Sequence, residues 1–125
     1  RLQSDLVELI EAAIAGKLDQ VQAEFDARAS VGVVLAAGGY PGSYGKGDVI
    51  KGLALGDVNS KIFHAGTKNM DGNVTTNGGR VLCATALGNS VTEAQHNAYT
   101  LAKTISWNGM FYRNDIAYRA IAREQ

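Results

Sequence analysis

The sequence predicts an α+β domain: an N-terminal helix, an antiparallel β-sheet meander and a C-terminal helix packed on the sheet. Three observations predict it. Apolar residues recur at helical spacing near the start. β-branched runs separated by Gly- and Asn-rich turns fill the middle, and a capped amphipathic pattern follows them. At 125 residues the chain suits a single core.

Ser4 is an expected N-cap, with Asp5 and Glu8 at the positive end of the helix dipole. Leu6, Leu9, Ile10, Ala13 and Ile14 draw the apolar face, and Gly16 can supply a left-handed stop. Leu18, Val21 and Phe25 read as a second short helix or turn. From Ser30 the character changes, and Val31–Ala37 reads as a buried strand. Asp48 to Leu53 and Lys61 to Lys68 are candidate strands. Asp71-Gly72 is a type I′ hairpin signal that pairs the second of these with Val74–Thr76. After the Asn77-Gly78-Gly79 turn, Arg80 to Leu87 forms the next strand. Ser90-Val91-Thr92-Glu93 is a capping box opening a helix with Ala94, Ala98, Leu101 and Ile105 on one face, ending near Asn108-Gly109. Tyr112 to Ile121 closes the domain as a short helix.

Composition narrows the function. Twelve basic residues balance twelve acidic ones, which argues against nucleic acid or an anionic membrane as the main partner. A small anion needs only two or three well-placed cations and stays open. Cys83 is alone, so no internal disulfide is expected, and a reducing, cytoplasmic setting fits. The longest apolar stretch, Val31 to Ala37, is too short to span a bilayer. No signal peptide is expected, and the absent initiator Met suits a piece trimmed from a longer protein.

The segment Gly38–Gly47 holds five glycines and the single proline. Such backbone can turn N–H groups toward phosphate or carboxylate, and Lys46 adds a charge. It is not a Walker A loop, because Tyr40 and Gly47 stand where Gly and Ser or Thr are required. A long ligand-free turn explains the composition equally well. Lys68 and Arg80, beside Gly66-Thr67 and Gly78-Gly79, could approach one sheet end and suit a phosphate monoester, or be solvated strand-end charges. Tyr40 and Tyr44 could stack on a sugar or only pack the loop against the sheet. His64, His96 and Cys83 share no metal-ligand spacing. His64 reads as a half-buried strand residue and Cys83 as a small core hydrophobe. No nucleophile or general-base arrangement stands out.

Arg1-Leu2-Gln3-Ser4-Asp5-Leu6, Gly39-Tyr40-Pro41-Gly42-Ser43-Tyr44-Gly45-Lys46-Gly47, Phe63-His64-Ala65-Gly66-Thr67, Gly78-Gly79-Arg80-Val81-Leu82 and Tyr112-Arg113-Asn114-Asp115-Ile116 occur in that order. In register, they resemble the C-terminal third of the phosphoribosylamine–glycine ligase (glycinamide ribonucleotide synthetase) family. The resemblance implies a rudiment-single-hybrid-like C-terminal domain of an ATP-grasp ligase. Residues 1–28 would be the helical end of the ATP-grasp domain and 29–125 the substrate-side domain. The implied reaction joins glycine to 5-phosphoribosylamine in purine (IMP) synthesis, with ATP going to ADP and phosphate and with Mg²⁺ or Mn²⁺. Glycine is activated as an acyl phosphate that the sugar amine attacks. The ATP and metal sites would lie in upstream domains of the same polypeptide, so the chain alone is expected to be inactive. The implied substrate-binding residues are Lys46 and Arg80, with Lys68 as a third cation. Gly42, Gly45, Gly66, Thr67, Gly78 and Gly79 would shape the backbone around them. The competing expectation is a stand-alone module that binds a phosphorylated sugar without catalysis.

Overall fold

Two β-branched, alanine-rich segments, β1 (Ala29–Ala36) and β5 (Arg80–Gly88), pair antiparallel at the centre of the fold. The computed structural model describes residues 1–53 and 56–124. A third strand, β2 (Ser60–His64), joins the free edge of β5, so the sheet order is β1-β5-β2. β3 (Thr67–Met70) and β4 (Asn73–Thr76) form a separate hairpin. The α+β class with an antiparallel sheet is as the sequence predicts, and the connectivity refines the meander by inserting β5 between β1 and β2.

Small side chains let helix and sheet approach closely. Ala94, Ala98 and Ala102 recur every four residues along α2 (Val91–Ala102), all fully buried. They lie over Val33 and Leu35 of β1 and over Ala84 and Ala86 of β5 in one core cluster. Gly88 admits the helix start, since a Cβ there would come within 2.3 Å of the Ala94 nitrogen. Ser90 caps α2 as expected, accepting from Glu93 N–H at 3.1 Å. The Glu93 carboxylate accepts from Asn89 N–H rather than from the cap residue, and Glu124 takes the free Val91 N–H. Glu124 ends α3 (Tyr118–Glu124), which places the closing helix beside the start of α2.

Other local expectations yield to tertiary pairing. Asp5, not Ser4, caps α1 (Leu6–Ile14), its carboxylate accepting from Val7 N–H at 2.7 Å. Ser4 is engaged elsewhere: its hydroxyl accepts from Glu24 N–H at 2.7 Å, where residues 1–4 pair with the returning chain. That pairing keeps the chain beyond Val21 extended, so the expected second helix shrinks to a 3-10 turn at Leu18–Gln20. Asp48 to Leu53 is a switching ribbon instead of a strand. Ile50 bonds Val74 on one side, and Lys51 exchanges hydrogen bonds with Ser106 on the other. The same exchange pulls Ile105–Trp107 out of helical geometry, and α2 stops at Ala102 rather than near Gly109. The Asp71-Gly72 turn does form, with positive φ at both residues.

The first 28 residues contribute little to this core. No residue of α1 is buried, and Leu6, Val7 and Phe25 are more than half exposed. A side-chain anchor ties the segment to the turn before β2. Arg28 pairs with Asp26 and also reaches the Asn59 side chain at 2.6 Å. Its hydrogen bonds hold the Asp26 carboxyl well below the usual carboxylate range.

Candidate functional site

The register slips once, at the start of β5, opposite the end of β1. Leu35 stands opposite Leu82, yet Ala36 stands opposite Arg80, leaving Val81 as an extra residue. Strict alternation would place Val81 and Leu82 on opposite faces, but both are 0% exposed. A bulge resolves this by sending two successive side chains into the core. The next residue, Arg80, is thereby re-aimed to the sheet face that α2 does not cover. There it shares a cleft of about 550 Å³ with Val34, Cys83, Tyr40, Tyr44 and Gly66.

Glycines close the rest of this corner. Gly79 is buried, and a Cβ on it would lie 2.2 Å from Tyr40 Cδ2 and 3.0 Å from Tyr44 Cε1. The bare backbone lets both rings, 6.2 Å apart between centroids, lie directly on the strand entrance. Gly66 and Gly78 approach backbone to backbone, where a Cβ on Gly66 would come within 2.7 Å of the Gly78 Cα. This contact splits the expected Lys61–Lys68 strand into β2 and β3. Hydrogen bonds then join the pieces: Ala37 N–H to Gly79 O, Gly66 N–H to Arg80 O, Asn77 N–H to Gly66 O and Gly47 N–H to Thr76 O.

Of the candidate residues, Arg80, Gly66 and Gly79 line the cleft. Lys46 is exposed one residue before the Gly47–Thr76 bond, and Lys68 is exposed opposite Thr75 in the β3–β4 hairpin, both outside the lining. Gly78 packs behind Gly66, while Gly42 and Gly45 sit on the outer turn of the loop. The Thr67 hydroxyl lies 3.0 Å from His64 Nδ1. His64 itself is exposed rather than half-buried, because it ends an edge strand. Cys83 corrects the expectation of a core thiol: it points away from α2, half-buried, and lines the cleft. Alternation counted forward from the core residue Leu82 puts Cys83 on this face, but counted backward it puts Arg80 on the core face.

The electrostatics favour a small anion. Among the described residues the two salt bridges are Arg28–Asp26 and Arg113–Asp115, so Arg80 has no acidic partner there. Among the described residues no carboxylate lines the cleft. A guanidinium at the rim of a carboxylate-free cavity can donate two parallel hydrogen bonds to phosphate oxygens in a fork. Among the described residues no three His, Cys, Asp or Glu side chains gather as a cation site, and no helix is long and apolar enough to cross a membrane.

The comparisons with known proteins agree with one another. A family model described as phosphoribosylglycinamide synthetase, C domain, matches residues 30–119. The chain is 68% identical to a phosphoribosylamine–glycine ligase of Vibrio parahaemolyticus over 126 residues, covering 100% of this chain and 29% of that protein. The identity is 66% with the ligase of the same name from Pseudomonas putida, at the same coverage. A crystal structure of phosphoribosylamine–glycine ligase from Thermotoga maritima superposes with a TM-score of 0.68 at 36% identity, covering 86% of this chain and 27% of that one. The chain thus spans less than a third of the length of the relatives it matches.

Proposed function

We propose, given that this chain belongs to the phosphoribosylglycinamide synthetase C-domain family, that it is the substrate-side part of a ligase and that its Arg80 cleft binds the 5-phosphate of 5-phosphoribosylamine. The reaction joins glycine to that amine while ATP is cleaved to ADP and phosphate, giving glycinamide ribonucleotide for purine synthesis in the cytoplasm. One observation carries the site assignment: Arg80 stands without an acidic partner among the described residues, on the wall of a carboxylate-free cleft. Phosphate oxygens complete that fork.

The division of labour follows from the residues present. Among the described residues no three His, Cys, Asp or Glu side chains come together to hold a divalent cation. ATP and Mg²⁺ or Mn²⁺ belong to the remainder of the parent polypeptide. Residues 29–125 form the substrate-side domain, and 1–28 belong with the preceding ATP-grasp domain. The exposed apolar residues of α1, and a family match that begins at residue 30, support that boundary. Lys46 and Lys68 stand nearby as second and third cations, on backbone knotted to the Gly66–Arg80 corner. Gly42, Gly45, Gly78 and Thr67 shape this rim. This chain's part is to hold and orient the sugar phosphate and to keep water from one side of it.

Titration of the chain with ribose 5-phosphate, followed by amide NMR, tests the assignment. Saturable shifts are expected at Gly66, Gly79 and Arg80, weakened by added salt. Shifts absent there, or confined to the 1–28 segment, would remove the phosphate from this cleft.

A further inference from the structure

The two tyrosines of the loop have no task in phosphate binding, yet they stand beside Arg80. Both line its cleft. Their rings rest on Gly79, the residue before Arg80, so their positions are set relative to the guanidinium. The loop that carries them is locked at its base. Tyr40 N–H bonds Ala37 O at 3.1 Å, and Gly39, at φ 93°, lets the chain fold back onto Ser43. The rings are tilted by 57°, so they form two walls instead of one stacked plate.

Their hydroxyls differ from that of a tyrosine used for structure. Tyr99 donates to Arg113 O at 2.6 Å and accepts from Ile116 N–H at 3.1 Å. Among the described residues neither Tyr40 nor Tyr44 has a hydrogen-bond partner for its hydroxyl, although Tyr40 is partly buried. Ring bodies fixed by packing, with polar tips left free beside a cation, are suited to a ligand having an apolar ring edge, hydroxyls and an anionic end.

We infer that Tyr40 and Tyr44 read the sugar of a phosphorylated pentose whose phosphate Arg80 holds, the rings bracketing it and the phenols hydrogen-bonding its hydroxyls. This rests on the phosphate reading of the same cleft and adds recognition of the ring. Such contacts discriminate a pentose phosphate from inorganic phosphate, which Arg80 alone could bind.

Steady-state kinetics of the full-length parent enzyme carrying Tyr40→Phe, Tyr44→Phe and both together test the inference. Phenylalanine keeps each ring on Gly79, so an unchanged melting temperature should confirm retained packing. The expected result is a KM for the sugar phosphate raised roughly two- to tenfold per hydroxyl removed, with kcat and the KM values for ATP and glycine unchanged. A double variant with wild-type KM, measured beside an Arg80→Ala enzyme whose KM has risen, would overturn the role of the tyrosines and leave the phosphate site intact. Wild-type KM in both enzymes would overturn the phosphate site as well.

Discussion

Replacing Arg80 with alanine in the full-length parent enzyme should raise KM for 5-phosphoribosylamine roughly ten- to a hundredfold, leaving the KM for ATP unchanged. A charge-assisted contact to phosphate contributes about 1.5–3 kcal/mol, and the exposed guanidinium puts the effect toward the lower part of that range. The assay belongs on the parent, since this chain is expected to form no product by itself. Lys46→Ala and Lys68→Ala give the scale. Both lysines lie outside the cleft lining, so each should cost less than Arg80. A loss at Lys46 equal to that at Arg80 would bring the glycine loop into direct contact with the phosphate. Wild-type kinetics for Arg80→Ala would strike that residue from the site.

Leu82→Ala should destabilise the chain by about 2–5 kcal/mol, read as a lowered midpoint of urea unfolding. Leu82 is 0% exposed, faces Leu35 across the ladder, and sits beside the bulge. The alanines of α2 and β5 around it have no rotamers with which to fill the cavity, which favours the upper part of the range. Val34, one residue from Leu35, is the control. It lies on the opposite face of the sheet and is 42% exposed, so Val34→Ala should stay within about 1 kcal/mol. Similar losses for the two variants would mean that the sheet face carrying the cleft is covered rather than open.

Local signals decided the elements whose chemistry is local. The Asp71-Gly72 hairpin formed because a two-residue turn with positive φ sets its own register. Ser90 capped α2 because the bond closes within four residues. Signals failed where two readings were locally equivalent. Ser4 and Asp5 are both good caps, and only the pairing of residues 1–4 with 22–26 took Ser4 out of contention. The pattern of α2 could have run to Gly109, but Ser106 found an extended partner in Lys51, 55 residues earlier in the chain. At the site, the glycines and cations were legible as types. Their grouping was not, because it depends on which backbone segments meet.

The sequence by itself determined the α+β class, the hairpin, the capped helix and the family, since each is carried by residues close in the chain or by motifs in fixed order. Only the tertiary structure decided which cation faces the cleft. A single extra residue at Val81 sends two neighbours into the core and turns Arg80 out, and a bulge exists only when a partner strand is present to be out of step with.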